Sequence, residues 1–115
     1  MCGISGLYKL KGGEILDSEL SHMRDALKHR GPDGAANFIS KNKNVGLSQR
    51  RLAIIDLSPE AACPMTNEDG TVWITFNGEI YNFQELREDL LKKGHTLKTH
   101  GDTETILHGY EEYGT

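Results

Sequence analysis

Strand-like and helix-like stretches alternate irregularly along this chain, and that irregularity constrains its fold more than any other feature. Cys2-Gly3-Ile4-Ser5-Gly6-Leu7-Tyr8-Lys9-Leu10 reads as an extended segment with Cys2, Ile4, Gly6, Tyr8 and Leu10 on one side. Leu16, Leu20, Met23 and Leu27 then recur at helical spacing after the capping candidates Asp17 and Ser18, predicting a helix that ends near Lys28 to Arg30. Gly31-Pro32-Asp33-Gly34 signals a turn, and strands are expected over Ala36 to Ser40 and Val45 to Asp56. A loop from Leu57 to Asp69 leads to Thr71-Val72-Trp73-Ile74-Thr75-Phe76, whose β-branched and aromatic content makes it the strongest strand candidate. Asn82 with Glu85 resembles a capping box for a helix carrying Phe83, Leu86, Leu90 and Leu91 and closed by Gly94. His95 to Thr99 is a short strand candidate, and Asp102 or Thr103 caps a last helix through Ile106, Leu107 and Tyr110. The strands lack the even rhythm of a doubly wound sheet, so an α+β domain with antiparallel pairing is expected.

The chain has 115 residues, enough for one domain. Ile, Leu, Val and Phe stand above the roughly 20% typical of disordered chains, so it should fold. Asp and Glu outnumber Lys and Arg, 17 to 13, and the net charge of −4 argues against a nucleic-acid or membrane-surface partner. No apolar run approaches the roughly 20 residues that span a bilayer, and the first residues lack a signal-peptide pattern, so a cytoplasmic location is expected.

Cys2 is the first candidate for chemistry. Trimming of Met1 would leave one residue holding both a thiol and a free α-amine able to take its proton; the competing reading is an incidental buried cysteine. Asn77-Gly78 follows the strongest strand candidate and suits an oxyanion hole, with one donor from the Asn amide and one from an unshielded glycine N–H. The same pair is also a hairpin-turn signal. Arg50 and Arg51 sit in an otherwise apolar run; neighbouring strand residues face opposite ways, so one of them must share the face of Leu47, Gln49 and Ala53 and needs an anion there. These residues alone leave open which, and the competing reading makes both surface charges on an edge strand. Asp102 and Glu104 could pair with a substrate ammonium or simply favour the helix N-terminus. The histidines lack metal-ligand spacing and read as surface or turn residues, so no metal site is expected. Cys63 reads as a small loop hydrophobe, and no phosphate-cradling glycine motif occurs.

Met1-Cys2-Gly3-Ile4-Ser5-Gly6, His29-Arg30-Gly31-Pro32-Asp33-Gly34, Gln49-Arg50-Arg51-Leu52-Ala53-Ile54-Ile55-Asp56, Asn77-Gly78-Glu79-Ile80-Tyr81-Asn82 and Gly101-Asp102-Thr103-Glu104-Thr105-Ile106-Leu107 stand in this order. Together they resemble the N-terminal class II glutamine amidotransferase (glutaminase) domain of glutamine-hydrolysing asparagine synthetases, over essentially residues 1–115. The resemblance implies an N-terminal-nucleophile hydrolase fold, a four-layer αββα sandwich with antiparallel sheets, and L-glutamine as substrate. It makes Cys2 the nucleophile and places the oxyanion on Asn77 and Gly78. It assigns the glutamine α-carboxylate to Arg51, its α-ammonium to Asp102 and Glu79, and the pocket lining to main chain from Leu52 through Ala53 and Ile54 to Ile55.

The family's domain is longer than this chain, which suggests truncation on the C-terminal side. ATP and magnesium belong to a C-terminal synthetase domain, the expected partner; without a Ser-Gly-Gly-x-Asp-Ser loop, no cofactor is expected in this chain itself. A homodimer is compatible with the resemblance. The competing functions are a non-catalytic glutamine-binding or regulatory fragment, and a glutaminase domain serving a different ammonia acceptor.

Overall fold

The computed structural model describes residues 1–115 and divides them into two units. The first comprises Met1–Leu52, Ala62–Pro64 and Thr75–Asn77. It contains β1 (Gly3–Tyr8), α1 (Asp17–Asp25), β2 (Gly34–Ile39) and β3 (Val45–Arg51). The strands form one antiparallel sheet in the order β1-β3-β2. Its register pairs Gly3 with Arg50 and Tyr8 with Val45 on one side of β3, and Gly34 with Arg51 and Ile39 with Gly46 on the other.

α1 packs on one face of this sheet, and Gly46 is what allows it to. A Cβ at Gly46 would lie 2.7 Å from Leu20 Cδ1, and Leu20 is the fully buried residue of the helix. Side chains alternate along β3, so Ser48 and Arg50 also face α1 whereas Leu47, Gln49 and Arg51 face away. The covered face is unusually polar: Ser5 and Ser48 share a 2.5 Å hydroxyl contact, and Asn37 donates to Asp17 Oδ1 and Ser21 Oγ at 3.0 and 2.9 Å.

Three expectations are corrected here. α1 is shorter than the apolar spacing predicted, because beyond Asp25 the backbone bonds tighten to the i−3 type, with Leu27 bonding Arg24 and Lys28 bonding Asp25. Neither Asp17 nor Ser18 caps it. Leu16 occupies the cap position, and the Glu19 carboxylate accepts its N–H at 2.8 Å. The strand expected through Asp56 stops at Arg51, leaving Ile54 and Ile55 62% and 47% exposed.

The second unit comprises Ala53–Ala61, Met65–Ile74 and Gly78–Thr115. It holds a 3₁₀ turn at Pro59–Ala61, the two-residue strands β4 (Met65–Thr66) and β5 (Trp73–Ile74), α2 (Phe83–Lys92) and α3 (Thr103–Tyr113). Met65, Leu90 and Leu107 are its buried apolar residues. Gly94, at φ +95°, ends α2 in the left-handed conformation that its position predicted.

The strongest strand candidate of the sequence, 71–76, forms a ladder only at Trp73–Ile74. The reason lies at its start: Asn67 Oδ1 accepts the N–H groups of Thr71 and Val72 at 3.0 and 3.1 Å, so a side-chain turn uses donors that a strand would need. The strand expected at 95–99 is absent for a similar reason. The Glu104 carboxylate takes the N–H groups of Lys98 and Thr99 at 2.8 and 2.7 Å. Asn82 precedes α2 as expected, but at φ −99° and ψ 25° it departs from the extended cap conformation and its side chain makes no capping bond. His108, expected at the surface or in a turn, is 2% exposed. Antiparallel sheets with helices make the fold α+β, and no helix is long and apolar enough to cross a membrane.

Candidate active site

The sheet of the first unit turns the two adjacent arginines to opposite faces. Arg50 points to the α1 side, where its Nε donates to the Gly31 carbonyl at 3.0 Å and its Nη1 lies 3.5 Å from Asp25 Oδ1. Its charge is committed within the framework. Arg51 points to the opposite face, together with Gln49.

Cys2 shares that opposite face. Gly3 pairs with Arg50, and extending the antiparallel register by one residue sets Cys2 against Arg51. Three contacts hold Cys2 there. Leu52 donates its N–H to Sγ at 3.2 Å while the thiol reaches the Leu52 carbonyl at 3.5 Å, and Arg30 Nε donates to the Cys2 carbonyl at 3.1 Å. Cys2 is half-buried rather than sealed in a core, and Met1 before it is 66% exposed.

Asn77 is positioned by a residue that the motif reading passed over. Gln49, 4% exposed, donates from Nε2 to the Phe76 carbonyl at 2.8 Å and accepts the Cys63 N–H on Oε1 at 3.2 Å. Thr75 adds a 3.5 Å bond to the Ser48 carbonyl. The segment ending in Asn77 is therefore tied to the part of β3 that carries Arg51. The sequence signal was the phase of Gln49 with Arg51: a buried amide in a strand needs partners on both of its ends. Cys63 is buried, as a small loop hydrophobe should be, and its backbone serves this same tie.

Ala53, Ile54, Ile55, Gly78, Glu79 and Asp102 lie in the second unit. Gly78 and Glu79 are exposed, and the chain runs on through a turn into α2, so no returning strand makes Asn77-Gly78 a hairpin. Asp102 precedes α3 and is 6% exposed. Its Oδ2 accepts the Ile80 N–H at 2.9 Å, which fixes the backbone next to Glu79. Glu104, the other ammonium candidate, is occupied: Lys98 N–H, Thr99 N–H and Thr99 Oγ1 all donate to it. Burial opposes its charge, but the bonds from Thr99 and Lys98 outweigh that and hold its pKa below the ordinary value. Asp56 is drawn further down, to about 2, by Ser58 and by the His100 N–H, whose nitrogen is 2.8 Å from Oδ2.

Cys2 and Arg51 thus share one sheet face, with the chain before Asn77 tied to the same strand, and sequence comparison gives the class of domain. Residues 1–115 match the family described as glutamine amidotransferase domain, and the chain belongs to it. It is 43% identical over 98% of its length to asparagine synthetase [glutamine-hydrolyzing] 1 of Bacillus subtilis. It is 41% identical over 99% to the enzyme numbered 2 of the same organism, and 42% identical over 99% to asparagine synthetase [glutamine-hydrolyzing] of Sandersonia aurantiaca. The chain spans only 18%, 15% and 21% of the lengths of these relatives.

Proposed function

We propose that this chain is a glutaminase module that releases ammonia from L-glutamine for asparagine synthesis. The observation that carries the reading is the register that sets Cys2 against Arg51 on the sheet face turned away from α1. Removal of Met1 frees the Cys2 amine, which takes the thiol proton. The thiolate attacks the glutamine γ-carboxamide, forming the carbon–sulfur bond, and the oxyanion is held by the Asn77 amide and the Gly78 N–H. Collapse of the tetrahedral adduct breaks the carbon–nitrogen bond, and the leaving nitrogen takes the proton held by the amine to depart as ammonia. Water then cleaves the γ-glutamyl thioester, giving glutamate and restoring the thiol.

Arg51 receives the substrate α-carboxylate, a planar anion that its guanidinium can hold by two parallel bonds. Glu79 and Asp102 take the α-ammonium, and main chain from Leu52 to Ile55 lines the pocket. A four-layer N-terminal-nucleophile hydrolase sandwich is the complete fold this reading implies. A C-terminal synthetase domain is the partner that uses the ammonia, with ATP and magnesium entering only there, in the cytoplasm. Ammonia release from L-glutamine, measured for the unaltered chain and for Cys2→Ala, tests the proposal. Loss of release in the variant is expected, and an unchanged rate would overturn it.

A further inference from the structure

The second unit brings together side chains that the proposed glutamine chemistry does not use. His95 follows the glycine that closes α2, while His108 and Glu111 are one turn apart on α3. His95 Nδ1 and His108 Nδ1 face each other at 3.2 Å, and Glu111 Oε2 lies 3.0 Å from the second and 3.8 Å from the first. The two rings meet edge to face, inclined at 70°.

The outer nitrogens of both rings look onto carboxylates. His95 Nε2 is 2.8 Å from Glu112 Oε2, and His108 Nε2 is 3.5 and 3.7 Å from Glu104 and Glu68. With each ring proton on the outer nitrogen, toward those carboxylates, both Nδ1 atoms are available as ligands, and an ion bound there replaces the contact between His108 Nδ1 and Glu111 Oε2. Asn67 Nδ2 donates to Glu111 Oε1 at 2.5 Å, which orients that carboxylate and directs Oε2 at the imidazoles. The two Nδ1 atoms and Oε2 thus converge on one point, where a cation would meet all three.

The spacing suits a particular kind of cation. Ligand distances of about 2.0–2.1 Å around a tetrahedral ion place neighbouring donor atoms about 3.3 Å apart. The three separations here, 3.0, 3.2 and 3.8 Å, bracket that edge. A carboxylate behind each imidazole is also the outer-sphere arrangement that orients metal-bound histidines and raises their basicity.

We propose that His95 Nδ1, His108 Nδ1 and Glu111 Oε2 bind one divalent transition-metal ion of the zinc type, with a fourth position left for water or another small ligand. The His108 side chain is 2% exposed and those of His95 and Glu111 are 16% and 25% exposed, so the ion enters from the side of the latter two. Binding fastens the loop after α2 to α3. It involves none of the residues assigned to glutamine and stands or falls separately from that assignment.

The test is calorimetric titration of the chelator-treated 115-residue chain with zinc sulfate, repeated with cobalt(II) chloride to read the coordination from its visible absorption. One zinc ion per chain and the intense bands of four-coordinate cobalt are expected. His95→Gln and Glu111→Gln, both at partly exposed positions that leave the core intact, should each weaken zinc binding by about tenfold or more. His100→Gln should leave it unchanged. Lack of stoichiometric uptake at zinc concentrations up to about 0.1 mM, or equal affinity in both ligand variants and the parent, would overturn the site.

Discussion

The backbone N–H of Leu52 meets the sulfur of Cys2 at 3.2 Å, although the two residues stand 50 positions apart. The bond joins the start of the chain to the point where β3 ends, and Arg51 is the residue just before that point. The proposed nucleophile and the proposed carboxylate receptor are therefore set by one piece of sheet register rather than by two independent loops, which preorganises them relative to each other.

The two arginines should separate cleanly in kinetics. Arg51→Ala removes a charge-assisted pair with substrate worth about 1.5–3 kcal/mol, so KM for glutamine should rise roughly 10- to 150-fold while the fold stays intact. Arg50→Ala should leave KM near its starting value and lower stability by about 1–2 kcal/mol, because it loses Gly31 and Asp25 instead. Steady-state ammonia release and urea denaturation of both variants check this; exchanged phenotypes would refute the face assignment.

Gln49→Leu is expected to act on both stability and turnover. It strands the Phe76 carbonyl and the Cys63 N–H, each costing about 1–3 kcal/mol if left unpaired. It also loosens Asn77, so kcat should fall more than KM rises. A denaturation midpoint and kcat equal to those of the parent would remove Gln49 from the account.

Gly46→Ala tests the helix-on-sheet contact. The new methyl would meet Leu20 Cδ1 at 2.7 Å, so α1 must shift, at a cost of about 1–3 kcal/mol. Thermal melting provides the readout, and an unchanged midpoint would contradict the packing.

Acid should release the clamp between Asp56 and His100 late. The folded-state pKa of Asp56, about 2, lies below its ordinary 3.8, so the stability it contributes is complete above about pH 4 and is lost as pH falls through about 2. The His100 amide resonance, followed by NMR, should titrate with that low midpoint and cease to do so in Asp56→Asn. A midpoint near 4 would show that the clamp does not form.

Much of this was legible in the residues. The helices at 83–92 and 103–113 followed from their apolar spacing, and Gly94 from the need for a positive φ after α2. The strands at 71–76 and 95–99 misled because propensity describes what a backbone tolerates, whereas Asn67 and Glu104 took the donors those strands required. Arg50 and Arg51 were indistinguishable until the contact between Leu20 and Gly46 fixed which face α1 covers. Gln49 was hidden because the importance of a buried amide depends on partners 14 and 27 residues away. His95 and His108 were unreadable as a pair for the same reason: their proximity is made by helix packing, not by spacing.

The central claim, that Cys2 is the N-terminal nucleophile, is tested most directly by intact-mass analysis of the chain after reaction with an electrophilic analogue of glutamine. The account predicts a protein lacking Met1 that carries one adduct, located by peptide mapping on Cys2, with Cys63 unmodified. Retention of Met1, or an adduct that forms no faster on Cys2 than on Cys63, would contradict it.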